Sequence, residues 1–140
     1  MMARADRLYL DRDLANLARL NDWLAGLFDR AETPAELAGD MKLCLNEAVT
    51  NVISYGDSGT RPLQITVSVR VQADSIAAIV EDNCAVFDPT ADDGANPITG
   101  LEDARIGGFG ISLIRSTAAS MRWQPLDTKG NRLTLICGRV

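Results

Sequence analysis

Three short clusters in this sequence carry residue types that can do chemistry. The first is Glu47 and Asn51, four residues apart in the stretch Leu43–Gly56, LCLNEAVTNVISYG. A carboxylate beside a carboxamide oxygen suits a hard cation together with a water or hydroxyl to be polarised. The second runs Ala78-Ile79-Val80-Glu81-Asp82-Asn83-Cys84 and continues into Phe87-Asp88-Pro89. An aspartate ending an apolar strand stands in a pocket floor, where it can accept from an exocyclic amine such as that of adenine. The third is Gly107-Gly108-Phe109-Gly110, opening a helix, where glycines let backbone approach a ligand and free N–H groups face an anion. Each cluster alone has an ordinary explanation: a surface pair making helix contacts, a strand-ending turn residue, the glycine end of a flexible loop. GGFG is neither a G-x-x-x-x-G-K-[ST] loop nor a Rossmann fingerprint following a strand.

Glu47 and Asn51 need a helix. Met41, Leu45, Ala48, Val49 and Val52 recur at three- and four-residue steps and form one apolar face. Glu47 and Asn51 then lie about 40° apart around the axis, beside that face, at the lip of a core. Thr33 is the expected cap, with Pro34 in the first turn and Glu36 completing a capping box. Gly56 supplies the terminating conformation. Upstream, Arg7 to Leu10 reads as a strand. Asp11 or Asp13 caps a helix through about Arg30, with Leu14, Leu17, Ala18, Leu20, Leu24 and Leu27 as its stripe.

Downstream, alternation from Leu63 to Val71 gives a strand, Ala73-Asp74-Ser75 a tight turn, and Ile76 to Val80 a second strand ended by Glu81-Asp82. Residues 83 to 106 show no steady period, and a loop of that length inside a compact domain is usually functional. Ile111 to Ala119 reads as an apolar helix. Met121 to Leu126 and Arg132 to Cys137 read as strands joined by a hairpin turn, Asp127 to Asn131. The expected fold class is α+β, a two-layer α/β sandwich in which helices cover one face of a largely antiparallel sheet.

At 140 residues the chain makes one domain. Net charge is −5 and no Lys/Arg cluster stands out, which argues against nucleic acid and against anionic membranes as partners. Cys44, Cys84 and Cys137 are widely spaced and histidine is absent, which excludes a zinc site of the usual kind and phospho-histidine chemistry. Thiols without a disulfide framework suit a reducing cytoplasm. No segment reads as a signal peptide or a membrane helix.

The three clusters in this order resemble the GHKL ATPase superfamily, whose members share a histidine-kinase-like ATPase domain. Glu47-Ala48-Val49-Thr50-Asn51 matches its N box, Asp82 with Phe87-Asp88-Pro89 its first glycine box, and Gly107 to Gly110 its second. The E-A-x-x-N core, the FDP, the GGFGISLIRS helix start and the late GNRLTL strand are most similar to the anti-sigma-factor serine/threonine kinases of bacterial partner switching. The resemblance spans about Leu8 to Cys137. It implies a Bergerat-type ATP-binding fold with a mixed, mostly antiparallel sheet, and a lid over residues 85–106. It also implies ATP with Mg²⁺ as cofactors, and a sigma factor and an anti-sigma-factor antagonist as partners. A homodimer is what the family suggests. Asn51 would hold Mg²⁺, Glu47 would polarise the attacking hydroxyl, and Asp82 would bind the adenine amine. Gly107, Gly108 and Gly110, with Phe109, would wrap the phosphates. Cys84 and Phe87 would line the base pocket, and Arg105 would reach the γ-phosphate. Two departures stand out. The usual D-x-G reads Asp82-Asn83-Cys84 here, and Tyr55 stands where this branch often has histidine. A non-catalytic module that sequesters a partner and binds nucleotide weakly is the alternative that Cys84 favours.

Overall fold

The structure is a computed structural model that describes residues 5–90, 109–126 and 129–139. Its elements are β1 (Ala5–Leu10), α1 (Asn16–Arg30), α2 (Ala35–Tyr55), β2 (Ile65–Val71), β3 (Ser75–Asp82), α3 (Phe109–Thr117), β4 (Ser120–Pro125) and β5 (Asn131–Gly138). The strands form one sheet in the order β1-β2-β3-β5-β4. All four neighbouring pairs are antiparallel, so the mixed pairing expected from the resemblance does not occur among the described residues.

Alternation decides which face is covered. Ile65, Val67 and Val69 of β2, Ile76, Ala78 and Val80 of β3, and Leu133, Leu135 and Cys137 of β5 are all buried. Against them pack Leu20 and Leu24 of α1, Met41, Leu45 and Val49 of α2, and Ile114 of α3, each fully buried. Burying each such side chain stabilises the fold by about 1.5–3 kcal/mol before entropy is counted. The result is the expected α+β sandwich, with three helices on one face. Among the described residues no helix is long and apolar enough to cross a membrane.

Local expectations meet mixed outcomes. Both acids before α1 are used: Asp13 Oδ1 accepts the Ala15 N–H at 2.9 Å, and Asp11 Oδ1 accepts the Asp13 N–H at 2.9 Å. The helix proper starts only at Asn16, which leaves Leu14 58% exposed in the preceding turn; Ala18 is exposed as well. Buried Asn16 and Phe28 take places on the covered face instead. The capping box is not formed. Pro34, in extended conformation, is the N-cap of α2, and no side chain caps it. The Thr33 hydroxyl is buried without a partner among the described residues, while the Thr33 N–H is drawn back to Phe28 O at 2.9 Å. Gly56 does not take the left-handed conformation; its φ of −66° and ψ of 138° are extended. A Cβ at Gly56 would lie 2.5 Å from Cys84 Sγ and 2.6 Å from Val52 O, so close approach, not a turn, requires glycine there.

Two side-chain devices fix α2. Arg12 donates from Nη1 to Ile53 O at 2.7 Å and from Nη2 to Gly56 O at 2.8 Å, occupying carbonyls that a helix C-terminus leaves unpaired. Asn21 and Asn46 exchange amide hydrogen bonds of 2.9 and 2.8 Å between α1 and α2. This ladder sets the two helices in register one residue before Glu47.

Candidate active site

Glu47 and Asn51 are half-buried on α2, flanked by buried Ala48 and Val49. This is the lip position that the helical period predicts. The first turn of α3 comes down on the pair. Gly110 is buried, and a Cβ added to it would stand 3.0 Å from Glu47 Oε2 and 3.6 Å from both Asn51 amide atoms. The space a side chain would need is taken by these two polar groups. Helix packing between α2 and α3 thus joins two clusters far apart in sequence. Among the described residues no group of three or more His, Cys, Asp and Glu could hold a metal. A cation here would take its protein ligand from the Asn51 amide oxygen, with phosphate and water supplying the rest and the Glu47 carboxylate left free beside it. That sparse, all-oxygen set fits Mg²⁺, which keeps several waters and takes few protein ligands beside phosphates.

Asp82 is the last residue of β3, and it is buried. The strand runs through Glu81 and Asp82 rather than ending before them, because β5 pairs with it as far as Asn131. Asp82 Oδ1 accepts the Cys84 N–H at 2.9 Å and Asn131 Nδ2 at 3.0 Å. These two bonds fix the orientation of the carboxylate, and the Cys84 thiol faces it as well. Asn131 also donates to Ala85 O at 3.1 Å, and its Oδ1 accepts the Phe87 N–H and the Trp123 indole N–H, both at 2.9 Å. One amide therefore holds the base of β3, the chain leaving it and β4 together. Asn83 braces the same turn from the other side. Its Oδ1 accepts the Gln64 N–H and its Nδ2 donates to Pro62 O, both at 2.9 Å, and Arg61 donates to Asn83 O at 3.0 Å.

Cys84 is 2% exposed and packs its thiol against Gly56 at the end of α2. Burial, and then the Asp82 carboxylate, push that thiol up to about 12 from its ordinary 9.0. Phe87 is 66% exposed, held by its backbone rather than its ring. Asp88 Oδ1 accepts both the N–H and the hydroxyl of Thr90, at 2.7 and 2.6 Å, and Arg115 of α3 donates to Thr90 O at 2.9 Å. The FDP segment is thereby tied to α3. Gly107, Gly108, Arg105 and the stretch 91–106 of the expected lid lie outside the described residues, and Phe109 begins α3.

The sequence profile of the histidine kinase-like ATPase domain matches residues 10–137. The chain belongs to the histidine kinase-like ATPase family. This histidine kinase-like ATPase is 28% identical over 135 residues to serine/threonine-protein kinase BtrW of Bordetella bronchiseptica, covering 96% of this chain and 94% of that one. It is 33% identical over 108 residues to serine-protein kinase RsbW of Listeria innocua and of Listeria monocytogenes, covering 74% of this chain and 68% of theirs. Both relatives carry the name of a protein kinase acting on serine or threonine, and the BtrW match runs along nearly the whole chain. Its fold is that of the histidine kinase domain of the blue-light activated kinase of Erythrobacter litoralis EL346, with a TM-score of 0.55 at 16% identity. The match covers 89% of this chain and 59% of that one. Within this family member, Asn131 is the site residue that sequence reading missed. It stood in an apparent hairpin turn, and its hydrogen-bond partner Asp82 is 49 residues away. The available signals were its place directly after Gly130 at the start of an alternating strand and its membership of the GNRLTL motif.

Proposed function

We propose that this histidine kinase-like ATPase is an ATP-dependent protein serine/threonine kinase and anti-sigma regulatory factor. It binds a sigma factor and phosphorylates an anti-sigma-factor antagonist in the cytoplasm. The observation that carries the reading is the seating of Gly110 against Glu47 and Asn51, which brings the phosphate-facing start of α3 to a carboxylate and an amide oxygen. The names of BtrW and RsbW support the same class of activity.

Bound Mg·ATP would supply the transferable phosphoryl group. Asn51 would hold the metal through its side-chain oxygen, and the Asp82 carboxylate would accept the adenine amine. Glu47 would orient the attacking serine hydroxyl and take its proton as the serine oxygen bonds to the γ-phosphorus and the γ-phosphorus–oxygen bond to the departing ADP breaks. Gly107, Gly108 and Gly110 present backbone N–H groups to the phosphates, with Phe109 between them and Arg105 as a γ-phosphate contact. Residues 85–106 would serve as the lid of a site that works best without bulk water, and Asn131 holds the start of that segment at Ala85 and Phe87. Phe87 guards the rim of the base pocket. Cys84 contributes as a buried spacer between the adenine turn and α2.

Asn51→Ala is expected to weaken Mg·ATP binding and phosphoryl transfer together. Glu47→Ala is expected to leave nucleotide binding within a few-fold and to slow transfer by roughly 10²-fold or more, the scale of losing a positioned base. A radiolabelled-phosphate assay with the cognate antagonist, run beside a nucleotide titration, decides. Parental transfer by Glu47→Ala removes Glu47 from the mechanism. A parent chain that binds the sigma factor but transfers nothing is a sequestering module of the same fold.

A further inference from the structure

The face of the sheet turned away from the helices has a charge opposite to that of the chain. The register sets its residues in three rows across the five strands. One row is Tyr9, Thr66, Glu81, Arg132 and Gln124; the next is Arg7, Ser68, Ile79, Thr134 and Arg122; the third carries Arg70, Ala77, Ile136 and Ser120. Four arginines stand there against one glutamate, a net charge of +3 on a chain of −5. Glu81 is held by Arg132 at 2.7 Å, which among the described residues leaves Arg7, Arg70 and Arg122, all exposed, as the face's excess positive charge. No two of these arginines are neighbours in sequence; only strand pairing gathers them.

We propose that this outer sheet face is a docking surface for an acidic protein segment, one that presents several Asp or Glu side chains to Arg7, Arg70 and Arg122. The proposal does not rest on the kinase reading, because the face lies on the opposite side of the sheet from α2 and α3. Charge complementarity selects the occupant. Guanidinium groups bind carboxylates in paired, charge-assisted hydrogen bonds. A second copy of this chain would bring its own +3 against the same face. Single-stranded nucleic acid favours aromatic platforms among its cations, and the rows hold one aromatic residue, Tyr9, at the edge strand. Between the arginines lie short side chains, Ser68, Ala77, Thr134 and Ile136, that let an extended or helical segment lie flat. With strands about 4.8 Å apart and same-face residues about 6.8 Å apart, the rows cover roughly 500 Å². That is the size of one side of a weak, exchangeable interface.

The test is a titration of the ¹⁵N-labelled chain with a synthetic Glu/Asp-rich peptide long enough to cross five strands, at about 0.15 M salt. Amide shifts are expected at Arg7, Ser68, Arg70, Arg122 and Thr134. The triple variant Arg7→Gln, Arg70→Gln, Arg122→Gln is expected to bind the peptide at least tenfold more weakly, at an unchanged melting temperature. Arg30→Gln, on exposed α1, should bind as the parent does. Shifts confined to the helical side, or equal binding by the triple variant, overturn the proposal. So does a DNA duplex that shifts the same rows at lower concentration than the peptide, and so does a sedimenting dimer that the triple variant dissolves.

Discussion

Asn131 spends its whole amide on the frame of the site. Its four bonds reach Asp82, Ala85, Phe87 and the Trp123 indole. Removing such a partner strands buried groups, at about 1–3 kcal/mol each. Asn131→Ala is therefore expected to cost about 2–4 kcal/mol in urea unfolding and to weaken ADP binding by at least tenfold in calorimetry, as Asp82 loses its orientation. Unchanged binding would mean that Asp82 is held by its other contact, the Cys84 N–H. Cys84 has its own signature. The folded chain holds its thiol proton more tightly than the unfolded chain does. Its contribution is fully present below about pH 9 and is lost as pH rises from 9.0 through about 12. Unfolding midpoints measured across this range should fall more steeply for the parent than for Cys84→Ala.

At the scale of elements, α2 is positioned as much by side chains from other segments as by its own sequence. Arg12 closes its C-terminus from the β1–α1 connection. Arg12→Ala is expected to release Ile53 O and Gly56 O, to cost about 1–3 kcal/mol, and to speed exchange of the Gly56 amide, whose bond to Val52 O is 2.8 Å. Unaltered exchange there would show that packing against Cys84 suffices. The strands and helices themselves were legible, because period-two and period-3.6 patterns report burial directly. So was the placement of Glu47 and Asn51 beside the apolar face. What was not legible depends on partners remote in sequence. The Thr33 cap fails because extended Pro34 is itself the N-cap, which leaves Thr33 one residue outside the helix; Leu14 is lost to a turn before α1, and Gly56 answers to Cys84. Asn131 needed the β3–β5 register before its role existed, and the arginines of the outer face needed all four pairings.

At the scale of the whole molecule, the sheet separates two environments. Helices and the candidate active site occupy one face, and a basic, shallow surface occupies the other. Strand order places β3 and β5 in the centre, so the Asp82–Asn131 pair sits at the end of the best-supported strands, while β1 and β4 form the edges. The chain has two tryptophans, both packed against the core on the helix-covered side of the sheet. Trp23 packs there from α1, and Trp123, on β4, also gives its indole N–H to Asn131. An indole tied by one amide to the carboxylate proposed to read adenine is a built-in optical probe. In a Trp23→Phe background, ADP is expected to shift or quench the remaining emission with the same midpoint found by calorimetry. A silent Trp123 at saturating ADP would mean that the Asn131 junction does not move when the base pocket fills. If it responds, occupancy of the pocket can be followed in the unlabelled protein, in real time, while acidic peptide is added to the far side of the sheet.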